Sequence, residues 1–206
     1  RIMAEEGIDI DVVSPGEIYT AAAAGFPMEN SFFHGNNKSD SDIRFAIENN
    51  VGCFVVDNED ELSALERIAG KMGTMQNILL RVTPGIDPHT HKKISTGSVE
   101  SKFGIAIETG QAIETVKRAL SLKNVKLLGF HCHVGSQIFE SEPFTTASEI
   151  MLNFISEVRD TLGFTAEMLN LGGGLGVRYT EADPEIDYGE KIKEVAEILN
   201  TQCQKF

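Results

Sequence analysis

Two clusters of residues in this chain have the types and spacing that chemistry requires. The first is Leu169-Asn170-Leu171-Gly172-Gly173-Gly174-Leu175-Gly176, an apolar run that enters four glycines among five residues. Glycine has no Cβ, so such a turn can reach positive φ and let a ligand press against its amides. A concavity of bare N–H groups suits an anion, phosphate above all. The same glycines also fit a flexible loop or a close helix–strand contact. The second cluster is Gly129-Phe130-His131-Cys132-His133-Val134-Gly135-Ser136-Gln137. His131 and His133 stand two apart on a strand pattern, so they point to one face. Three readings of the pair stay open: metal ligands, hydrogen-bonded core residues, or an imidazole lying flat on an aromatic cofactor with Ser136 and Gln137 at its rim. The two clusters together favour a phosphate-bearing cofactor.

Cations recur at the ends of strand patterns. Lys38 follows His34-Gly35-Asn36-Asn37, Arg81 closes another apolar run, and Lys102-Phe103-Gly104 ends an irregular stretch. Each could meet an anionic substrate, and each could be an ordinary solvated charge. Their shared placement at strand ends tilts the reading toward a site.

The elements that must hold these residues alternate. Apolar, β-branched runs occur at Ile10–Val13, Ser31–His34, Cys53–Asp57, Asn77–Val82, Val125–Val134 and Glu167–Leu171, with helical patterns between them. Helix starts are marked by Ser14-Pro15-Gly16-Glu17, by Ser39 with Asp42 and by Asn58 with Glu61, each a cap followed by an acid three residues on. A strand–helix beat of this kind implies a parallel sheet. A doubly wound open sheet and a (β/α)8 barrel compete. In the doubly wound fold the phosphate-binding glycines follow the first strand; barrels place phosphate sites after the seventh and eighth. Glycines after the last visible strand therefore favour a TIM-type barrel. The irregular stretch Thr83 to Phe103 reads as a cover over the strand ends. Arg1 to Gly7 reads as the last turns of a helix closed by a glycine, and the pattern stops inside a helix at Ile192 to Cys203. The chain is accordingly expected to be part of a longer protein.

Composition narrows the partners. Thirty-one acidic against eighteen basic residues leave a formal net charge of −13, which argues against nucleic acid and anionic membrane as partners. Cys53, Cys132 and Cys203 are too few and too scattered for a disulfide framework, as suits a reducing, cytoplasmic setting. No apolar run is long enough to span a bilayer.

With these residues in view, the chain resembles the alanine-racemase-like, fold-type III, pyridoxal-phosphate decarboxylases. The resemblance covers nearly the whole chain. It rests on Asp11-Val12-Val13-Ser14 with Gly16-Glu17, on Gly35-Asn36-Asn37-Lys38 and on Arg81-Val82-Thr83-Pro84-Gly85. It continues through His91 with Ile94-Ser95-Thr96-Gly97, Ser101-Lys102-Phe103-Gly104, His131 to Gln137, and Leu169 to Gly176. It implies a lyase that decarboxylates a small amino acid using pyridoxal 5'-phosphate held at the mouth of an α/β barrel. By the same resemblance, His133 stacks on the pyridine ring and the amides of Gly172, Gly173 and Gly174 wrap the phosphate. Ser136 sits beside the cofactor and Arg81 belongs to the polar network under it. His91, Thr96 and Lys102 lie on the substrate side, with no metal, and two subunits share their sites in a homodimer.

Three features of the family are missing from this sequence: the Tyr-Ala-x-Lys-Ala-Asn-like strand with the Schiff-base lysine, the Glu-Pro-Gly-Arg segment, and the Cys-Glu-Ser-x-Asp-like segment. Residues 1–206 are therefore expected to form a partial barrel domain, about strands two to seven. The C-terminal β-domain would be absent, and the chain inactive on its own and prone to self-association at open sheet edges. Two readings from other classes remain: a non-catalytic cofactor-binding or interaction homologue, and a metal-dependent barrel hydrolase built on His131 and His133.

Overall fold

The computed structural model describes residues 1–86 and 102–204. Seven strands, β1 (Ile10–Val12), β2 (Ser31–Phe33), β3 (Cys53–Val56), β4 (Gln76–Thr83), β5 (Ile105–Ala106), β6 (Val125–His131) and β7 (Met168–Asn170), form one sheet. Between and after them run α1 (Ile2–Glu5), α2 (Pro15–Ala23), α3 (Asp40–Glu48), α4 (Glu59–Met72), α5 (Gln111–Ser121), α6 (Glu142–Leu162) and α7 (Tyr188–Cys203). The spatial order is β1-β2-β3-β4-β6-β7, and every neighbouring pair is parallel. A doubly wound sheet reverses its order at a switch point. This sheet never reverses, so it is a half-barrel wall.

Side chains alternate across that wall as a pleated strand requires. Phe33, Phe54, Val56, Ile78, Leu80 and Phe130 join one large core with helical residues such as Leu62, Ile68, Val116 and Phe154. The intervening Cys53, Val55 and Leu79 pack with Phe32, Leu128 and Met168 in a separate cluster on the other face. Five of the six strand runs expected from sequence extend past the strands at their C-terminal ends, and the sixth, Asn77–Val82, falls one residue short of β4 at each end. Val13, His34, Asp57 and Cys132 to Val134 lie just beyond their strands, so the polar residues among them gather at one end of the sheet. The two-residue β5 was not foreseen; it is too short to carry an alternation.

The helix starts follow the cap chemistry, with one instructive difference. Ser39 and Asp42 form a reciprocal capping box, and Ser14 Oγ accepts from the Glu17 amide at 3.3 Å. Asn58 Oδ1 accepts from the Glu61 amide at 2.9 Å, but the Glu61 carboxylate turns inward instead of closing a box. It accepts from Lys38 Nζ at 2.7 Å and from the Asp57 amide at 3.0 Å. Lys38 Nζ also donates to the carbonyls of Gly35 and Val55.

Lys38 therefore does not reach toward an anionic substrate. Its side chain is 2% exposed and that of Glu61 3%, and burial pulls the ammonium's pKa down and pushes the carboxyl's up. Removing one member of such a pair strands the other charge. Lys38→Met should lower the unfolding free energy by about 3–5 kcal/mol, and adding Glu61→Leu should recover most of it in urea titrations. A double variant no more stable than the single one would contradict this role.

Candidate functional site

The glycine turn begins where β7 ends. Gly172 and Gly174 have φ of 73° and 107°, a region that side chains with a Cβ rarely enter. A Cβ at Gly174 would run into the Gly135 carbonyl, and one at Gly172 would come within 2.7 Å of the Cys132 carbonyl and 2.9 Å of His133 Nδ1. The turn is thus pressed against the loop that leaves β6. Ile138 N donates to Gly174 O at 3.0 Å, and Gly176 N donates to Ile138 O at 2.9 Å. Val177 N donates to Gln137 Oε1 at 2.8 Å while Gln137 Nε2 returns a bond to Val177 O at 3.1 Å.

Within that frame the amides divide. Gly172 N donates to Asn170 Oδ1 at 2.7 Å. Its amide is committed inside the fold, and the residue serves through its positive φ. Among the described residues no acceptor bonds the amides of Gly173, Gly174 and Leu175. A Cβ at Gly173 would meet nothing within 4 Å. Of the expected trio, Gly172 spends its amide on Asn170, while Gly173 and Gly174, with Leu175, present amides without a partner among the described residues.

The histidines separate by depth. His133 is exposed and lies against the turn, as the close approaches at Gly172 and Gly174 show. His131 is buried, its ring edge-on to His34 with centroids 4.8 Å apart. Its Nδ1 has no hydrogen-bond partner among the described residues. Burial, then the neighbouring His34 and Arg81, drop the His131 pKa to about 3, so this imidazole is neutral near pH 7. His34 Nε2 stands 3.2 Å from Asp11 Oδ1, near enough for an ion pair but without hydrogen-bond alignment. The imidazole holds the Asp11 carboxyl below the usual carboxylate range, against the opposing effect of burial. Among the described residues no group of three or more His, Cys, Asp or Glu is placed to hold a metal ion.

Arg81, at the C-terminal end of β4, is largely buried, and its guanidinium lies 3.5 Å from Asp57 Oδ1. Burial draws its pKa below the ordinary value, which Asp57 partly offsets. The Arg81 and Lys102 cations lie over the Phe103 ring, 4.6 and 4.8 Å from its centroid. Ser136 is exposed on the loop after β6. His91 and Thr96 lie outside the described residues. His133, Ser136, Arg81, Lys102 and the glycine turn are thus carried by segments at one end of the sheet. Sequence reasoning missed His34, Asp57 and Asn170. Each is a polar residue closing or leaving an apolar strand run, and that position is the signal that could have found them.

With that geometry in hand, comparison with known proteins is direct. Residues 1–206 match the family described as pyridoxal-dependent decarboxylase, pyridoxal binding domain, and the chain belongs to that family. It is therefore a pyridoxal-binding α/β barrel segment. Among individual relatives, it is 48% identical over 201 residues to a diaminopimelate decarboxylase from Halalkalibacterium halodurans, covering 97% of this chain and 46% of that one. It is 43% identical over 206 residues to the diaminopimelate decarboxylase of Bacillus subtilis, covering 100% and 47%. A crystal structure of diaminopimelate decarboxylase from M. jannaschii in complex with L-lysine superposes with a TM-score of 0.86 at 35% identity, covering 99% and 46%. The chain thus spans about half the length of the curated relatives it matches.

The buried His131 makes a pH-dependent contribution to stability. The unfolded chain protonates this ring near 6.5, whereas the folded chain keeps it neutral down to about 3. Folding therefore weakens as pH falls through that interval. Between about pH 6 and pH 5, His131→Gln should flatten the fall in unfolding free energy by close to one proton, about 1.4 kcal/mol per pH unit. Parallel stability curves for the two proteins would show that His131 is protonated in the fold.

Proposed function

We propose that residues 1–206 are a partial barrel domain of a pyridoxal-phosphate-dependent decarboxylase that converts meso-diaminopimelate to L-lysine. One carbon–carbon bond breaks, the carboxylate leaves as CO2, and a proton takes its place on the same carbon. The observation that carries this reading is the turn of three unpaired amides at Gly173, Gly174 and Leu175 beside the exposed His133. The diaminopimelate decarboxylases found among the relatives support the substrate.

Pyridoxal phosphate, when bound, supplies the electron sink that accepts the pair left by the departing carboxylate. The remaining work belongs to the chain. The three amides receive the phosphate at no reorganisation cost, because the laced loops fix them beforehand. The exposed His133 imidazole and Ser136 would hold the cofactor's ring beside the turn. His131 stays neutral beneath the site, so it adds no positive charge next to Arg81. Arg81 gives the buried end of the site a fixed cation, and the family resemblance assigns Lys102, His91 and Thr96 to the substrate side. The same reading makes the enzyme cytoplasmic, in keeping with its three free cysteines. It also makes it a homodimer, with the outer edges of β1 and β7, unpaired among the described residues, completed by further chain.

Two experiments test this. In the decarboxylase carrying this chain, CO2 release from meso-diaminopimelate should exceed that from arginine or carboxynorspermidine by more than about 100-fold, roughly 3 kcal/mol of discrimination. A preference for either alternative would replace the substrate while keeping the reaction. Gly173→Val adds a side chain where the fold itself has room. It should leave thermal unfolding unchanged and weaken pyridoxal phosphate binding by about tenfold or more, at least 1.4 kcal/mol. Unchanged affinity would place the phosphate elsewhere.

A further inference from the structure

Asp57 follows the last residue of β3 and is buried. No strand bond or helix cap uses its carboxylate, and the proposed chemistry does not require it. Its oxygens instead face two different parts of the molecule. Oδ2 accepts from the Gly104 amide at 3.1 Å. Oδ1 is sealed from solvent with no hydrogen bond among the described residues, 3.5 Å from the Arg81 guanidinium. The backbone beneath it is also held, since the Asp57 amide donates to Glu61 Oε2, and Glu61 is bound to Lys38. Two cation–carboxylate pairs, Lys38 with Glu61 and Arg81 with Asp57, thus stand side by side across the ends of the strands.

The segment that Asp57 grips is held at each of its three residues. Asn36 Nδ2 donates to Lys102 O at 3.0 Å, and Thr83 Oγ1 donates to Phe103 O at 3.0 Å. Gly104, at φ +75°, sits so close to β4 that a Cβ there would lie 2.9 Å from Thr83 Oγ1 and 3.2 Å from Arg81 O. Phe103 then presents its ring to the Arg81 and Lys102 cations. One carboxylate therefore links a guanidinium at the site to the short segment that carries Lys102.

We propose that Asp57 is a positioning residue, holding Arg81 and the Lys102–Gly104 segment in one fixed relation at the rim of the site. An isolated buried guanidinium would turn toward water. Paired with Asp57 and stacked on Phe103, it has one orientation. The consequence for cofactor affinity rests on the proposed function; the anchoring of residues 102–104 does not.

Asp57→Asn tests both parts in the full-length protein. The amide keeps an acceptor for Gly104 but loses the charge facing Arg81. Trypsin cleavage after Lys102 should rise at least about tenfold relative to cleavage after Lys126 in β6, a ratio that general destabilisation does not move selectively. Pyridoxal phosphate affinity should fall about fivefold or more. Arg81→Gln should do the same, and the double variant should bind no more weakly than Arg81→Gln alone, since both act through one pair. If Asp57→Asn does not fold, the cleavage ratio of Arg81→Gln decides. An unchanged ratio, or additive losses in the double variant, would overturn the assignment. A wild-type protein that binds no pyridoxal phosphate would sink the proposed function, and the cleavage ratio would still judge Asp57.

Discussion

Gln137 and Val177 bond side chain to backbone in both directions, and Ile138 gives a bond to Gly174 while taking one from Gly176. These four bonds tie the loop leaving β6 to the loop leaving β7. None of them draws on the amides of Gly173, Gly174 or Leu175. An amide without a partner is costly if shut away from water, so the three left over must face solvent or a ligand. Glycine at 172 and 174 permits the close approach, and Asn170 absorbs the first amide. The proposed anion site is therefore made of the amides that the fold leaves without a partner among the described residues.

A second constraint is charge. The end of the sheet that presents the turn also buries or half-buries Lys38, Arg81, Asp57, Glu61, His34 and His131, with the exposed Asp11 beside His34. Ionised groups out of water are tolerated when paired. Lys38 meets Glu61, Arg81 meets Asp57, Asp11 meets His34, and His131 remains neutral. Arg81 and Lys102 both lie over the Phe103 ring, and of these two only Arg81 has a carboxylate beside it in Asp57. The acidic surface of the chain, at −13 overall, makes such local control of sign matter more.

The architecture was legible because periodicity and caps act locally. Ser14, Ser39 and Asn58 each announced a helix through one side-chain bond to a nearby amide. The position of the glycines after the last strand separated a barrel wall from a doubly wound sheet. What sequence alone could not resolve was tertiary in origin. Lys38 reads as a free cation until Glu61 is brought to it from α4. The amide of Gly172 reads as available until Asn170 turns to claim it. His131 and His133 share a residue type and one strand-like sequence run, yet one closes β6 buried against His34 and the other lies exposed just beyond it. Asp57 gave no signal beyond ending an apolar run, because its partners lie at positions 81 and 104.

The central claim, that the unpaired amides of one turn receive a phosphate, is open to a direct spectroscopic test. Backbone 15N–1H resonances of the full-length protein can be followed while pyridoxal 5'-phosphate is titrated in. The account predicts that Gly173, Gly174 and Leu175 show the largest downfield amide proton shifts, with Gly172 less affected because its proton already points to Asn170. Shifts concentrated elsewhere, with those three amides unmoved at saturation, would contradict it.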